Sequence, residues 1–247
     1  MSIYFVSDTH LGSPLFDNPR EKEERFTAWL DSIKDDCEKL FLLGDIFDFW
    51  FEYKKVIPKG FTRVLGKLAE FTDKGIEVYF FTGNHDIWTF GYLEKEIGMI
   101  VYKEHKQFLF GDKRFYVGHG DGLNENDKGF LFIRRIFHNR FLQKCFRLIH
   151  PDLAIAMAQK WSAHSRKHKG RRSMEVDKNG NEYDPIEIFA ENHLKSDHVD
   201  YFIFGHIHQP KQVELSGGSL YTNVGDWIDN STYAVFDGKT LQLKNYF

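Results

Sequence analysis

The residues of this chain that could bind metal ions lie in five short motifs. They are Asp8-Thr9-His10, Gly44-Asp45-Ile46-Phe47-Asp48, Gly83-Asn84-His85-Asp86, Gly118-His119-Gly120-Asp121 and Gly205-His206-Ile207-His208. Neutral imidazole and carboxylate groups suit divalent transition metals, and none of the motifs contains a cysteine. A structural zinc ion takes only four ligands, which is fewer than this set offers. The surplus indicates two metal ions about 3.5–4 Å apart that share a bridging carboxylate.

The first three motifs each follow an apolar run. The runs Ile3–Val6, Leu40–Leu43 and Val78–Phe81 are typical of buried strands. Between them, Arg20–Ile33 and a stretch near Phe61–Thr72 carry apolar residues at helical spacing. Strands that alternate with helices predict an α/β fold with a parallel sheet. Because ligands bind beyond the carboxyl ends of such strands, the side chains of these motifs should converge.

The second half of the chain has a different pattern. Val101–Val117 is typical of a hairpin with its turn at Gly111-Asp112, and Asp127–Lys169 indicates helices. Short strands return from Tyr201 to Phe247. We therefore predict a single domain over residues 1–247, with a helical cap inserted at residues 127–172.

The predicted cap differs in charge from the rest of the chain, which must be clearly acidic because the whole chain is slightly acidic. Its stretch from residue 131 to 172 contains one acid, Asp152, and eleven cations: Arg134, Arg135, Arg140, Lys144, Arg147, Lys160, Arg166, Lys167, Lys169, Arg171 and Arg172. Phenylalanine, leucine and isoleucine alternate with these cations. Core packing and a solvated helix face explain part of this pattern. We favour a cap that also meets an anionic lipid or membrane surface.

Composition places the chain among globular proteins. It has 247 residues, a net charge of −3 and two cysteines, too few for a disulfide framework. Its first residues lack a basic start, and Asp8 interrupts the apolar run, so no signal peptide is expected. No stretch reaches 18 uninterrupted apolar residues, so no membrane-spanning helix is expected either. We expect a cytoplasmic protein that contacts the cytoplasmic face of the inner membrane peripherally.

The ordered set of five motifs resembles the calcineurin-like metallophosphoesterases, from Asp8 to His208. The resemblance implies a sandwich of two mixed sheets flanked by helices. It also implies two ligand sets that share Asp45: Asp8, His10, Asp45 and His208 for one ion, and Asp45, Asn84, His119 and His206 for the other. Manganese is the metal that the resemblance implies, and iron or zinc would tolerate the same ligands.

The catalytic roles also come from the resemblance. Two metal ions lower the pKa of a bound water and neutralise phosphoryl oxygens, so that water can attack the phosphorus directly. No covalent phosphoryl-enzyme forms in this mechanism. His85 matches the histidine near the scissile phosphate, where it could donate a proton to the leaving oxygen. Asp86 would orient His85. Asp48 could orient a ligand or contact substrate, and Asp121 could hold a ligand histidine.

Within this superfamily the chain is most similar to the UDP-2,3-diacylglucosamine hydrolases of lipid A biosynthesis. The similarity lies in Gly44–Trp50, in His119–Asp127 and in the position of the helical insertion. It implies water attack at the α-phosphorus of a lipid-linked nucleotide sugar, giving UMP and 2,3-diacylglucosamine 1-phosphate (lipid X). Candidate substrate contacts are Asp127, Ser162, Arg166 and Lys169. The chain departs from the best-known members at His85, where they carry an arginine.

Other functions remain open at this stage. A phosphoesterase that acts on another nucleotide diphosphate, a phosphodiester or a phosphoprotein would use the same metal ligands. A non-catalytic scaffold at a membrane is disfavoured because every inferred ligand is present. Nucleic acid is not an expected partner, because the positive charge lies in an apolar segment rather than in a polar groove with stacking aromatics.

Overall fold

The computed structural model describes residues 2–14, 16–124, 126–169, 175–176 and 180–246, with only the backbone for residues 161–169 and 175. The helices and strands follow in chain order: β1 (Ser2–Val6), α1 (Pro19–Ile33), β2 (Cys37–Leu42), α2 (Thr62–Asp73), β3 (Glu77–Phe81), β4 (Ile100–Tyr102), β5 (Lys106–Phe110), β6 (Lys113–Val117), α3 (Lys128–His138), α4 (Arg140–Phe146), α5 (Pro151–Lys169), β7 (Glu175–Val176), β8 (Glu182–Tyr183), α6 (Pro185–His193), β9 (Tyr201–Phe204), β10 (Lys211–Glu214), β11 (Leu220–Asn223), β12 (Thr232–Phe236) and β13 (Leu241–Asn245).

Two mixed sheets face each other. The first has the strand order β13-β12-β1-β2-β3-β4, in which β1 to β4 are parallel and β12 and β13 are antiparallel additions. The second has the order β10-β11-β9-β6-β5, with β11, β9 and β6 parallel. This arrangement confirms the predicted α/β sandwich.

Alternating side chains of the parallel strands build two cores. Phe5 and Phe41 point between the sheets, where their rings stack 4.9 Å apart and Phe115 of the second sheet meets Phe5. The intervening residues of the same strands, such as Val6 and Leu42, pack instead beneath α1 and α2. Because both faces of the strands are buried, these strands appear in the sequence as continuous apolar runs.

A third core covers the outer face of the second sheet. Ile186 and Ala190 of α6 pack there against Phe202, Phe204 and Tyr221. The sandwich is therefore flanked by helices on both sides, as predicted.

One strand lies in a different sheet from the one that the sequence pattern suggested. Val101 was expected in the hairpin, but it belongs to β4, which pairs in parallel with β3 through Phe80. The hairpin itself consists of β5 and β6 only, which pair from Phe110 with Lys113 onward. Three residues are too few to show by periodicity which sheet they join.

The helices α3, α4 and α5 lie between β6 and α6, in the region predicted as a cap. We call residues 128–169 the helical segment. It contacts the sandwich through Trp88, whose indole N–H donates to the Phe137 carbonyl at 2.9 Å and whose ring lies 4.8 Å from that of Phe146. Within the described part of the chain, no helix is both long enough and apolar enough to cross a bilayer.

Candidate metal centre

The loops that carry the predicted ligands have a strained backbone. Among the described residues, seven non-glycine residues have positive φ, and five of these are predicted ligands: Asp8, His10, Asp45, His206 and His208. Such conformations cost about 1–3 kcal/mol each and persist only where the surrounding structure enforces them. Their concentration in three motifs that follow β1, β2 and β9 indicates a functional site.

One group of ligands surrounds Asp8. Its Oδ1 atom lies 3.0 Å from His208 Nε2 and 3.7 Å from His10 Nε2, and the two imidazole nitrogens are 3.3 Å apart. Asp8 Oδ1 is nevertheless buried, and no described residue forms a hydrogen bond with it. A buried carboxylate oxygen in this state is costly unless a cation satisfies it. Ligand atoms of one ion lie about 3–4 Å apart, so the group fits a metal.

A second group surrounds His119. Its Nε2 atom lies 3.3 Å from His206 Nδ1, 3.4 Å from Asn84 Oδ1 and 3.5 Å from Asp45 Oδ2. Asp45 Oδ2 is also 3.8 Å from His10 Nε2 of the first group. A single carboxylate oxygen therefore faces both groups, which is the position that a bridging ligand requires.

Hydrogen bonds occupy the second polar atom of Asp8, Asp45 and His119. Asp8 Oδ2 accepts from the His206 amide at 2.9 Å and from the Ser7 hydroxyl, which leaves Oδ1 for a metal. Asp45 Oδ1 accepts from the His85 amide at 2.8 Å, which leaves Oδ2. The Nδ1–H of His119 donates to the Leu43 carbonyl at 2.8 Å, so Nε2 is the ring nitrogen that faces the other ligands.

Two glycines permit this close approach. A Cβ atom at Gly83 would lie 2.2 Å from Asp45 Oδ1, and one at Gly205 would lie 2.4 Å from Asp8 Oδ2. Any larger residue would displace the carboxylates. Gly83 and Gly205 are therefore required at these positions, because the ligand carboxylates leave no room for a side chain.

Burial and neighbouring charges set the protonation states of the buried ligands. Burial raises the pKa of the Asp8 and Asp45 carboxyls, but the neighbouring histidines outweigh it and hold both pKa values well below the usual range. Burial, and then His119, lower the pKa of His206 to about 4. The two acids are thus ionised and His206 is neutral. Burial lowers the pKa of His10 and His119, but nearby carboxylates outweigh it, raising the pKa of His10 to about 10 and that of His119 well above its usual range. A bound metal ion would therefore displace protons from these two rings.

His85 lies at the edge of the centre. Its Nδ1–H donates to the Asp48 carbonyl at 3.0 Å, and its Nε2 lies 4.0 Å from Asp45 Oδ2. The ring is thereby directed towards the space that the ligand groups share. This position is suitable for a group that contacts a phosphoryl oxygen.

Asp86 acts on the backbone of two loops. Its fully buried carboxylate accepts from the amides of Gly83 at 2.7 Å, Ile46 at 2.8 Å and Phe47 at 3.3 Å. These bonds join the loop of Asn84 to the loop of Asp45. Its predicted effect on His85 is therefore exerted through the loop, whereas the Asp48 carbonyl orients the ring.

Asp48 and Asp121 have different surroundings. Asp48 Oδ1 lies 3.3 Å from His10 Nδ1, on the side of the ring opposite Asp8. Asp121 accepts from Arg134 Nε at 3.0 Å and so ties the His119 loop to α3. Asp121 thus connects the centre to the helical segment, while the orienting role of Asp48 stays a prediction.

The candidate substrate residues fall into two groups. Asp127 caps α3 by accepting from the Phe130 amide at 2.8 Å, and the Phe130 ring lies 6.0 Å from that of His206. The start of α3 is therefore beside the centre. Ser162, Arg166 and Lys169 belong to the last part of α5, where the backbone is helical and the side chains lie outside the described residues.

Asn223 and Trp227 were not predicted from the sequence. Asn223 Nδ2 donates to the Gly205 carbonyl at 2.6 Å, and the Trp227 amide donates to the Asp8 carbonyl at 3.0 Å. Both residues contact ligand loops without offering a ligand of their own. The available signal was their place at or shortly after the end of β11, since the other motifs also lie near strand ends.

Comparisons with known proteins agree with this geometry. A family model described as calcineurin-like phosphoesterase matches residues 1–210. A UDP-2,3-diacylglucosamine hydrolase from Porphyromonas gingivalis is 37% identical over 98% of this chain and 97% of that protein. Proteins of the same name from Hamiltonella defensa and Haemophilus influenzae are 31% and 26% identical, over 85% and 92% of this chain and 78% and 91% of theirs. The chain belongs to the calcineurin-like phosphoesterase family.

Proposed function

We propose that this protein hydrolyses the diphosphate of UDP-2,3-diacylglucosamine to UMP and 2,3-diacylglucosamine 1-phosphate, a step of lipid A biosynthesis. The observation that carries a two-metal hydrolase is the position of Asp45 Oδ2, which faces both His10 and His119. The choice of substrate is supported by the Porphyromonas gingivalis relative, whose name states this activity and which aligns with nearly the whole chain.

Two divalent ions, which we propose to be manganese, would be held by the ligand sets that share Asp45. One set is Asp8, His10, Asp45 and His208, and the other is Asp45, Asn84, His119 and His206. When bound, such ions lower the pKa of water and so supply hydroxide near neutral pH. Ser7 and the His206 amide hold Asp8 in its ligating orientation, and the Leu43 carbonyl fixes the tautomer of His119.

His85 is the proposed catalytic side chain outside the ligand sets. Attack at the α-phosphorus makes the sugar 1-phosphate the leaving group, and this group gains negative charge as the bond breaks. A protonated His85, directed into the centre by the Asp48 carbonyl, would stabilise that charge. An arginine at the same place would serve this purpose, so the histidine is compatible with the proposed substrate.

The helical segment is the proposed site of the acyl chains. A cavity of about 740 Å³ lies between α5 and the sandwich, with apolar lining from Leu11, Phe49, Ile57, Phe61 and Ile155. Two lining residues are chain neighbours of residues at the centre, since Leu11 follows His10 and Phe49 follows Asp48. Its volume is in the range of about 300–1,000 Å³ that is typical of ligand sites.

The same segment is the proposed membrane contact. Its outer surface exposes large apolar side chains, with Phe141 71% and Leu148 88% exposed. The exposed cations Arg140 and Lys144 lie with Phe141 on α4, exposed Arg135 lies on α3, and Leu148 lies between α4 and α5. Apolar side chains beside positive charge suit an anionic lipid surface, so we propose peripheral contact with the cytoplasmic face of the inner membrane rather than a nucleic-acid partner.

The proposal is tested by incubating the manganese-loaded protein with UDP-2,3-diacylglucosamine in mild detergent and following UMP release. Asp45→Asn should abolish activity because it removes the shared ligand charge. Asp112→Asn is the matched control, because it removes an exposed carboxylate in the turn between β5 and β6. Hydrolysis of a generic phosphodiester without any UMP release would retain the metal centre and reject the substrate.

A further inference from the structure

Asn223, the last residue of β11, connects two neighbouring strand ends. Its side chain is fully buried, and its backbone pairs with Phe204 at the end of β9. Nδ2 donates to the Gly205 carbonyl at 2.6 Å, and Oδ1 accepts from the Gly225 amide at 3.0 Å. The amide group thus bridges the loop after β9 and the loop after β11.

The peptide between Gly205 and His206 is held at both ends. Its carbonyl accepts from Asn223, and its N–H donates to Asp8 Oδ2 at 2.9 Å. Reversal of this peptide would direct the carbonyl oxygen at the Asp8 carboxylate. The bond from Asn223 opposes that reversal, because a buried carbonyl that loses its donor is costly.

The orientation of the Asn223 amide is itself determined by its neighbours. Nδ2 faces two acceptors, the Gly205 carbonyl and, at 3.4 Å, the Tyr221 hydroxyl. The Tyr221 hydroxyl donates in turn to Asp184 Oδ2 at 2.7 Å. An exchanged amide would place its oxygen against the Gly205 carbonyl and its NH₂ against the Gly225 N–H. The short bonds with Gly205 and Gly225 therefore fix the orientation of the amide, and Tyr221 adds a longer contact.

We infer that Asn223 is a positioning residue for the metal centre, which fixes the loop of His206 and His208 and thereby sets metal affinity. The inference rests on the proposed role of these two histidines as ligands. Both adopt left-handed backbone conformations, so their side-chain directions depend on the peptide that precedes them. Loss of a residue that orients metal ligands lowers metal affinity by about 10–100-fold.

The test is a manganese titration followed by the electron paramagnetic resonance signal of free Mn²⁺. Asn223→Asp keeps the shape and the acceptor for Gly225 but removes the donor to Gly205. We expect its Mn²⁺ affinity to fall about 10–100-fold. Thr222→Val is the matched control, because Thr222 is equally buried on β11 and its hydroxyl accepts only from Gln212 among the bonds described. Its affinity should stay within about twofold of wild type.

A purely structural role is distinguished by Tyr221→Phe. This change removes the hydroxyl that contacts Asn223 but leaves the bond to Gly205, so it should lower the urea midpoint and keep Mn²⁺ affinity. Asn223→Ala repeats the test in case the aspartate variant does not fold. Unchanged affinity in a folded Asn223 variant overturns the inference alone. A wild-type protein that binds no Mn²⁺ overturns the proposed function, and the inference with it.

Discussion

Removal of the Asp86 carboxylate should separate the two loops that it joins. Asp86→Ala leaves the amides of Gly83, Ile46 and Phe47 without their acceptor in a fully buried place. Each unsatisfied buried group costs about 1–3 kcal/mol. The Phe47 bond is long and shares an oxygen with the Ile46 bond, so we count two bonds and expect a loss of about 2–6 kcal/mol of unfolding free energy.

Asp86→Asn is the informative comparison. Asparagine keeps the shape of the side chain and one acceptor oxygen. Its NH₂ group replaces the other oxygen and faces a backbone N–H, from which it cannot accept a hydrogen bond. The change also removes a buried charge, and burial together with Asp45 raises the pKa of Asp86 to about 7, so part of the loss is offset. We expect a loss of about 1–3 kcal/mol, between the wild type and Asp86→Ala.

Urea denaturation with a chelator present measures these differences without a contribution from bound metal. Asp112→Asn, which changes an exposed carboxylate, should leave the midpoint in place. If both Asp86 variants unfold with the wild type and lose only activity, the backbone role is wrong. Asp86 would then act on His85 directly, as the family resemblance implies.

Three further changes have defined outcomes. Trp88→Phe removes the hydrogen bond to the Phe137 carbonyl, which helps to dock the helical segment. It should lower turnover of the lipid substrate while leaving hydrolysis of bis(4-nitrophenyl) phosphate unchanged. Equal losses on both substrates would contradict this docking role. Tyr221→Phe should lower the free energy of unfolding, measured by urea denaturation, by about 1.5–3 kcal/mol. The loss should be near the lower end, because Lys211 stays 2.9 Å from the same Asp184 oxygen. A shift in Mn²⁺ affinity would contradict a purely stabilising role. Burial lowers the pKa of His105, so the unfolded state takes up the proton more readily and stability should fall as pH drops below about 6.5. The charged and titratable groups around this ring are Glu104, Arg134, His193 and Asp121. Urea midpoints between about pH 7.5 and pH 5.5 should fall less in His105→Asn than in wild type, and parallel decreases would refute the assignment.

The sequence was most informative where strands are buried on both faces. The runs that became β1, β2 and β3 are continuously apolar, and their carboxyl ends must meet at one edge of a parallel sheet. The convergence of Asp8, Asp45 and Asn84 could therefore be predicted from local pattern and a general rule. Their binding of metal ions stays a prediction that the proposed experiments test.

The parts that sequence analysis missed depend on contacts between distant residues. β4 has three residues, and its place beside β3 is set by pairing rather than by its own pattern. Asn223 lies in none of the five motifs, and its contact with Gly205 depends on the pairing of β9 with β11. The pairing of Asp121 with Arg134 likewise depends on how α3 lies against the sandwich.

Hydrolysis in water enriched in heavy oxygen tests the central claim most directly. A metal-activated water that attacks the α-phosphorus of UDP-2,3-diacylglucosamine must leave its oxygen in UMP. Mass spectrometry of both products should therefore find one labelled oxygen in UMP and none in 2,3-diacylglucosamine 1-phosphate. Label in the sugar phosphate would show attack at the other phosphorus and contradict the proposed reaction.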